Sequence, residues 1–540
     1  MNSSQSASIR DAVVNVLRTA GVNRVFANPG STEISLLANF PEDLNFTLAL
    51  HEGSVIGMAT GQALATGETA VAIVHTTAGL GNAIGAIATA RVNRAPLAII
   101  VGQQDRRHLA TEPFLAGKLR GLAGEYPVWY NEPVTAQDVP AAVARAIHEA
   151  QIHKGPALVV VPMDDWIQEA DPTHFFTAPA SVEYGNRVSP EVISQLAHRI
   201  NLAKNPVMIA GAGNTSVEGW AEAVRLAEHL HVPVFQESFA GRAGFPQDHP
   251  NFAGFISASR KTVRTQLEPY DLIFAVGAPV LRQSQYEPGA MFPAETTVLL
   301  LTEDPEEALR SPAEIAVVGS LPQALHDLVD ATYSRDSRTP LNVFRREAPV
   351  PPIGDESLRA SHVMAALAQR LPVETVLVEE TPSSRPDLHE LMPARQPFGF
   401  VSAAMGGLGF GLPAAIGLKM GAPERPVVAV LGDGSSMYGI QGLWSARHYE
   451  VGCLFIILNN ERYAVMDRLS EKFGGGEPAW PSFEEINFVQ LSESLGVESQ
   501  RVSTYSELVS TLDSVIPTLT SRRTALTLVI DVEPELTFAP

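Results

Sequence analysis

An aspartate between two glycines, Gly432-Asp433-Gly434, and a later pair of asparagines, Asn459-Asn460, are residues whose chemistry belongs together. Asp433 offers a hard carboxylate oxygen, and its flanking glycines permit a tight turn and close approach of backbone to a ligand. One carboxylate, the amide oxygen of Asn460 and a nearby main-chain carbonyl suit Mg²⁺ or Ca²⁺ bridging to a phosphate. Such a site requires the two segments to meet. Val427 to Leu431 is an apolar, β-rich run, Leu443 to Tyr449 reads as helix, and Leu454 to Leu458 reads as a second buried strand. Two parallel strands joined by a helix end on one edge of a sheet, where α/β proteins bind ligands. Asp433 and Asn460 are therefore expected side by side.

Other candidates stand earlier in the chain. Asn28-Pro29-Gly30-Ser31 is a turn by composition and follows a short strand, Arg24 to Ala27. Glu52 lies where Leu48-Ala49-Leu50 hands over to a Gly/Ala-rich helix, Val55 to Leu64. A carboxylate there also suits the positive end of a helix dipole. His75 closes the strand Val71 to His75, ahead of a second small-residue helix, Gly79 to Ala90, and a structural histidine would fit that place equally. Helices of this composition can pack closely against another backbone. Ser8 with Asp11 marks the start of the first helix. Further strands at Leu97–Val101 and Ala157–Val161 complete a repeating β/α block, which implies a parallel sheet covered by helices.

The polar, Pro-rich stretch Gln168 to Val188 reads as a linker. A second α/β block follows, with strands at Val207–Ala210, Val232–Phe235, Leu272–Val276 and Thr297–Leu301. Its Gly211-Ala212-Gly213 lacks the third glycine of a dinucleotide loop and reads as a plain strand-to-helix turn. Ser334 to Asp355 reads as a second linker whose prolines favour extended chain. The third block begins near Glu356 and contains the Asp433 segment. The expected fold class is α/β: three doubly wound parallel-sheet domains spanning 1–170, 188–333 and 356–540.

Length supports this division, since 540 residues suit about three cores. With 38 basic and 59 acidic residues the net charge is −21, which argues against general binding of nucleic acid or anionic membrane. Cys453 is the only cysteine, excluding a disulfide framework and a cysteine zinc cluster. The first residues lack the basic start and apolar run of a secretory signal, and no run approaches a membrane span. A cytoplasmic location is the expectation.

Five strings extend the picture: NPGSTE (28–33), HEGSVIGMATG (51–61), GAPV with R and QYEPG (277–289), GGLGFGLPAAIG (406–417) and GDGSSMYGIQGLW (432–444). Together, in order and spacing, they resemble the thiamine-diphosphate enzymes, and within that family are similar to its benzoylformate decarboxylase group. The resemblance covers nearly the whole chain. It implies a pyrimidine-binding, a central and a diphosphate-binding domain, with active sites between two subunits and tetramers common. It implies that Asp433, Asn460 and the main-chain oxygen of Arg462 hold the metal. Gly432, Gly434, Ser435 and Ser383 would then meet the diphosphate of thiamine diphosphate, while the Gly406 carbonyl and Leu408 keep the cofactor bent. Glu52 matches the carboxyl that protonates the pyrimidine ring and so activates the cofactor. Ser31 matches a group that orients the substrate carboxylate, and His75 one that moves protons beside it. The implied reaction is non-oxidative decarboxylation of a small 2-oxo acid to an aldehyde and CO₂.

Some positions depart from that pattern. Ser284 stands where the decarboxylase has a second active-site histidine, and Ser402 and Leu469 stand where it has Phe. Serine forms hydrogen bonds but does not titrate near neutrality. With Val465 and Met466 as apolar neighbours, the substrate pocket is expected to be more polar on one side and less suited to stacking a phenyl ring. Alternatives are a carboligase or lyase acting on acyloins or 2-hydroxyacyl thioesters, and an inactive relative that only binds. Because the sequence ends at Pro540, soon after the strand Ala525–Val532, a lid over a coenzyme A arm is not expected. The expected partners are the 2-oxo acid and further copies of this chain, not nucleic acid or membrane.

Overall fold

Apolar runs such as Ala70–Val74 (AVAIV) and Leu272–Val276 (LIFAV) are buried along their whole length, as strands covered on both faces must be. They belong to a computed structural model that describes residues 7–171, 173, 182, 185–335, 341, 344–354, 356–475 and 478–534. The first sheet contains β1 (Arg24–Asn28), β2 (Asn45–Leu48), β3 (Ala70–Val74), β4 (Leu97–Gln103), β5 (Trp129–Asn131) and β6 (Pro156–Pro162). The second contains β7 (Pro206–Ala210), β8 (Val234–Gln236), β9 (Phe252–Phe255), β10 (Leu272–Val276), β11 (Thr297–Thr302) and β12 (Ile315–Val318). The third contains β13 (Val376–Glu380), β14 (Phe400–Ser402), β15 (Val427–Gly432), β16 (Leu454–Asn459), β17 (Glu498–Val502) and β18 (Leu526–Asp531). All named strand pairs are parallel, and helices cover the sheets, as the alternating pattern requires.

The first and third sheets share one topology, β2-β1-β3-β4-β6-β5 and β14-β13-β15-β16-β18-β17. The middle sheet runs β12-β11-β10-β7-β8-β9, the strand order of a dinucleotide-binding fold. Strand order reverses between β1 and β3 and again between β13 and β15. A crevice opens beyond the carboxyl ends of strands at such a switch point. Asn28 and Val74 end the first pair and Glu380 and Gly432 end the second, so the chemistry-bearing turns stand where the topology makes room.

The small-residue helix Glu52–Thr66 packs on the helix Gly411–Gly421, joining the first and third domains. A Cβ on Gly417 would lie 1.8 Å from the Met58 carbonyl oxygen, and one on Gly61 would lie 2.1 Å from that of Ala414. Glycine is what lets the two backbones touch. One apolar cluster runs through this contact, including Phe26, Ile56, Leu412 and Phe455.

Local expectations hold with informative exceptions. Ser8 and Asp11 form a reciprocal capping box on the first helix. β8 starts after Pro233, later than the expected Val232, because proline has no N–H for the ladder. A Cβ on Gly211 would meet that of Ala278 at 2.5 Å, so the turn after β7 is glycine for close strand-end packing. The middle of the first linker, 174–181, lies outside the described residues. The second linker is docked at Phe344 and Arg346 and exposed at Val350 and Ile353. Phe344 donates its N–H to the Phe252 carbonyl (3.0 Å) and sets its ring edge-on to Phe252. No helix among the described residues is long and apolar enough to cross a membrane.

Candidate active site

At the first switch point, β1 runs into Asn28-Pro29-Gly30 and then a short 3₁₀ turn, Ser31–Glu33. Ser31 is exposed there. His75, just past β3, places its Nδ1 2.9 Å from Thr32 Oγ1 and 3.1 Å from Glu33 Oε2. Glu33 is buried, accepts the Gly30 N–H at 2.7 Å and also receives the Thr32 hydroxyl. Nε2 is then the ring nitrogen without a partner among the described residues. Two glycines make this packing possible: a Cβ on Gly30 would stand 2.4 Å from the imidazole, and one on Gly102 would stand 1.6 Å from Glu33 Oε1.

Glu52 opens the helix that follows β2 and is 8% exposed. Its Oε1 accepts from Asn28 Nδ2 and its Oε2 from Asn82 Nδ2, each at 3.1 Å. Two neutral amides thus fix the carboxyl without placing a cation beside it.

Beside the other switch point, β15 delivers Asp433 and its neighbour β16 delivers Asn460. Asp433 Oδ2 accepts the N–H groups of Asn460 (2.8 Å) and Glu461 (2.6 Å), and Oδ1 accepts that of Gly434 (2.6 Å). Glu461 adopts a left-handed φ of 60° to turn the loop back onto the carboxylate. Burial pushes the Asp433 carboxyl up to about 6 even against these three donors. The Asn460 Oδ1 accepts from the Arg462 N–H at 3.2 Å, so the three residues assigned to the metal share one loop system. A Cβ on Gly434 would collide with the Tyr463 ring at 2.5 Å. No cluster of three His, Cys, Asp or Glu side chains is assembled for a metal among the described residues. A buried carboxylate sharing a loop system with the Asn460 amide oxygen fits a hard divalent cation held jointly with a phosphate. Ser435, buried next to Asp433, and Ser383 flank this loop, and the Ser383 hydroxyl accepts the Val465 N–H at 3.0 Å.

A cavity of about 640 Å³ opens between the second and third domains. Gly406, at φ 72°, and Leu408 form part of its wall, as does Ser284. So does Glu380, whose carboxylate gathers the N–H groups of Gly409 (2.7 Å), Phe410 (2.8 Å) and Gly411 behind the Gly406–Leu408 bend. Burial is the main force raising the Glu380 carboxyl to about 7.

Ser402 is not in this wall. It is fully buried, and its hydroxyl accepts from Arg385 Nη2 at 3.1 Å, so the longer Arg385 side chain faces the cavity in its place. Val465 and Leu469 lie one turn apart on the helix Ala464–Lys472, partly buried and outside this wall. The expected poor fit to a phenyl ring does not describe the central-domain side, where Phe239, Phe255 and Phe344 line the cavity.

Ser284, Gly406 and Leu408 therefore share one cavity, while Asp433, Asn460 and Arg462 share one loop system. Ser31, Glu52 and His75 stand on the first domain and do not reach the cavity of their own chain. Sequence reasoning missed Glu33, Asn82, Glu380 and Arg385 as functional candidates. Glu33 was visible inside NPGSTE, whereas Asn82 carried no local signal at all.

Comparison with known proteins agrees with this geometry. Three models of the thiamine pyrophosphate enzyme family match in order: the N-terminal TPP binding domain at 7–119, the central domain at 193–328 and the C-terminal TPP binding domain at 383–531. Benzoylformate decarboxylase from Pseudomonas aeruginosa is 35% identical over 510 residues, covering 94% of this chain and 96% of that protein. Acetolactate synthase isozyme 3 large subunit from Escherichia coli is 26% identical, covering 95% and 93%. Among solved structures, the thiamine diphosphate-dependent 4-hydroxybenzoylformate decarboxylase of Rhodococcus jostii RHA1 superposes with a TM-score of 0.92 at 33% identity, covering 98% of this chain and 100% of that one. Benzoylformate decarboxylase from Polynucleobacter necessarius gives 0.91 at 31% identity with the same coverage. With all three domains matched, the chain belongs to the thiamine pyrophosphate enzyme family, as a carbon–carbon lyase of its decarboxylase branch.

Proposed function

We propose that this enzyme decarboxylates an aryl 2-oxo acid of the benzoylformate type to an aldehyde and CO₂, using thiamine diphosphate and Mg²⁺ or Ca²⁺. The observation that carries the reading is His75, whose Nδ1 is engaged by Glu33 and Thr32. An imidazole anchored in this way by a buried carboxylate can hold a proton at Nε2 and deliver it to a bound intermediate. Ser31, exposed in the adjoining turn, would bind the substrate carboxylate. Asp433, Asn460 and the Arg462 carbonyl would hold the metal, with Ser383, Gly432, Gly434 and Ser435 against the diphosphate. Glu52 would hold a proton at the pyrimidine ring. The bound cofactor supplies the electron sink that accepts the pair left when CO₂ departs. Phe239, Phe255 and Phe344 support an aryl substrate by lining the cavity with aromatic side chains.

The test is to supply thiamine diphosphate and Mg²⁺ with a panel of 2-oxo acids, alone and with aldehydes. Equal release of CO₂ and aldehyde from an aryl 2-oxo acid supports the proposal. Acyloin made from aldehydes alone would favour carboligation instead, and failure to bind the cofactor would indicate a binding protein.

A further inference from the structure

The cavity wall carries a guanidinium whose donors are largely unused. Arg385 opens the helix Arg385–Leu391 and donates one Nη2 hydrogen to Ser402 Oγ at 3.1 Å. Its Nε is buried without a hydrogen bond, since the nearest carboxylate oxygen, Glu379 Oε2, is 3.6 Å away. Nη1 has no partner among the described residues. Guanidinium has five N–H donors and no acceptor, so what this wall lacks is an acceptor. One helical turn on, His389 stacks on Phe255, with ring centroids 4.3 Å apart and planes 2° apart. Its Nε2 also lacks a partner. Burial, and then the neighbouring Arg385 charge, hold this ring well below the usual histidine range, so it is neutral and adds no charge to the wall.

We propose that Arg385 is the specificity-determining residue of the cavity and selects 2-oxo acids bearing a neutral oxygen acceptor, a hydroxyl or ether oxygen, at the end distal to the oxo acid. The inference rests on the decarboxylase reading above and adds the substrate class. An acceptor is called for because only donors are free. It is neutral because Glu379 already balances Arg385, while Glu380 and the exposed Glu390 also stand in the wall. A distal carboxylate would bring one more acid to a single base. Ser402 fixes the guanidinium plane, which explains why a short hydroxyl residue lies behind this wall rather than in it.

The experiment uses the full-length enzyme with thiamine diphosphate and Mg²⁺, and benzoylformates substituted at the para position with hydroxyl, methoxyl, methyl or carboxyl. Both kcat/KM for aldehyde formation and the Kd of each acid by calorimetry are read. The hydroxyl and methoxyl acids are expected to exceed the methyl acid by about tenfold, and Arg385→Met to bring that ratio within about threefold. Arg385→Lys, which keeps the charge but not the fork, should fall between. A ratio cancels any general weakening of the variant. Ser402→Ala, which releases the guanidinium from its anchor, should lower the same ratio and serves if Arg385→Met does not fold. Equal use of methyl and hydroxyl acids, preference for the carboxyl acid, or a ratio unmoved by the variants would overturn the inference. Aldehyde formation without the Arg385-dependent preference defeats this inference alone. The preference in Kd without any aldehyde defeats the decarboxylase reading alone.

Discussion

At the scale of single residues, the site depends on carboxylates held by neighbours that do not neutralise them. Glu52 sits between the amides of Asn28 and Asn82. Glu52→Gln should bind thiamine diphosphate yet abolish hydrogen–deuterium exchange at its reactive carbon, which proton NMR of quenched samples reads directly. Wild-type exchange rates in that variant would remove Glu52 from the activation role. Glu33 acts through His75 and is a positioning residue. Glu33→Gln should lower kcat by about tenfold or more with little change in cofactor affinity, and Glu33→Asp should recover part of the loss. A loss confined to KM or to melting temperature would point to packing only. The motif residues were legible because their types and order are local properties. Their neighbours were not. Gly102 must be glycine because Glu33 Oε1 fills the space beside it, a contact made across the sheet that leaves no trace near Gly102 in the sequence.

At the scale of elements, the same distinction explains what the sequence disclosed about the fold. Period and composition sufficed for central strands such as β3, β4, β7, β10, β15 and β16, and β/α alternation for parallel sheets, whereas β5, β9, β12, β13, β14 and β17 drew no expectation. The docking of Phe344 onto Phe252 did not follow from composition, because a Pro-rich stretch looks alike whether free or packed. The orientation of Ser402 was equally hidden, since it is decided by Arg385 from another element. Two predictions belong here. Gly417→Ala gains about 1 kcal/mol of helix propensity but places a methyl 1.8 Å from the Met58 carbonyl oxygen. Backbone cannot yield as a side chain can, so the clash should win and cost about 1–3 kcal/mol net, read by urea unfolding.

Glu380 gives a pH dependence. Its folded-state pKa is raised from 4.5 to about 7, mainly by burial. The stability it contributes is thus fully present below pH 4.5 and is lost as pH rises through 7. Relative to Glu380→Gln, the wild type should lose about 3 kcal/mol of unfolding free energy across that window. Parallel pH curves for the two proteins would refute the assignment.

At the scale of the whole molecule, the candidate residues fall in separate places on one chain. Ser31, Glu52 and His75 lie at the first sheet's switch point, whereas Gly406, Leu408 and Ser284 line a cavity between the other two domains. We propose that a complete site takes Glu52 from one copy and Asp433 from another. Mixed oligomers of Glu52→Gln and Asp433→Asn, each inactive alone, should regain about one-quarter of wild-type activity when subunits are exchanged at random. No recovery would place both halves of each site in one chain. Decarboxylation by this cofactor is tested by following CO₂ and aldehyde together from one aryl 2-oxo acid. The two should be released in equal amounts, only with thiamine diphosphate and Mg²⁺ present, and not at all from Glu52→Gln. Aldehyde-free turnover, or undiminished CO₂ release by Glu52→Gln, would contradict it.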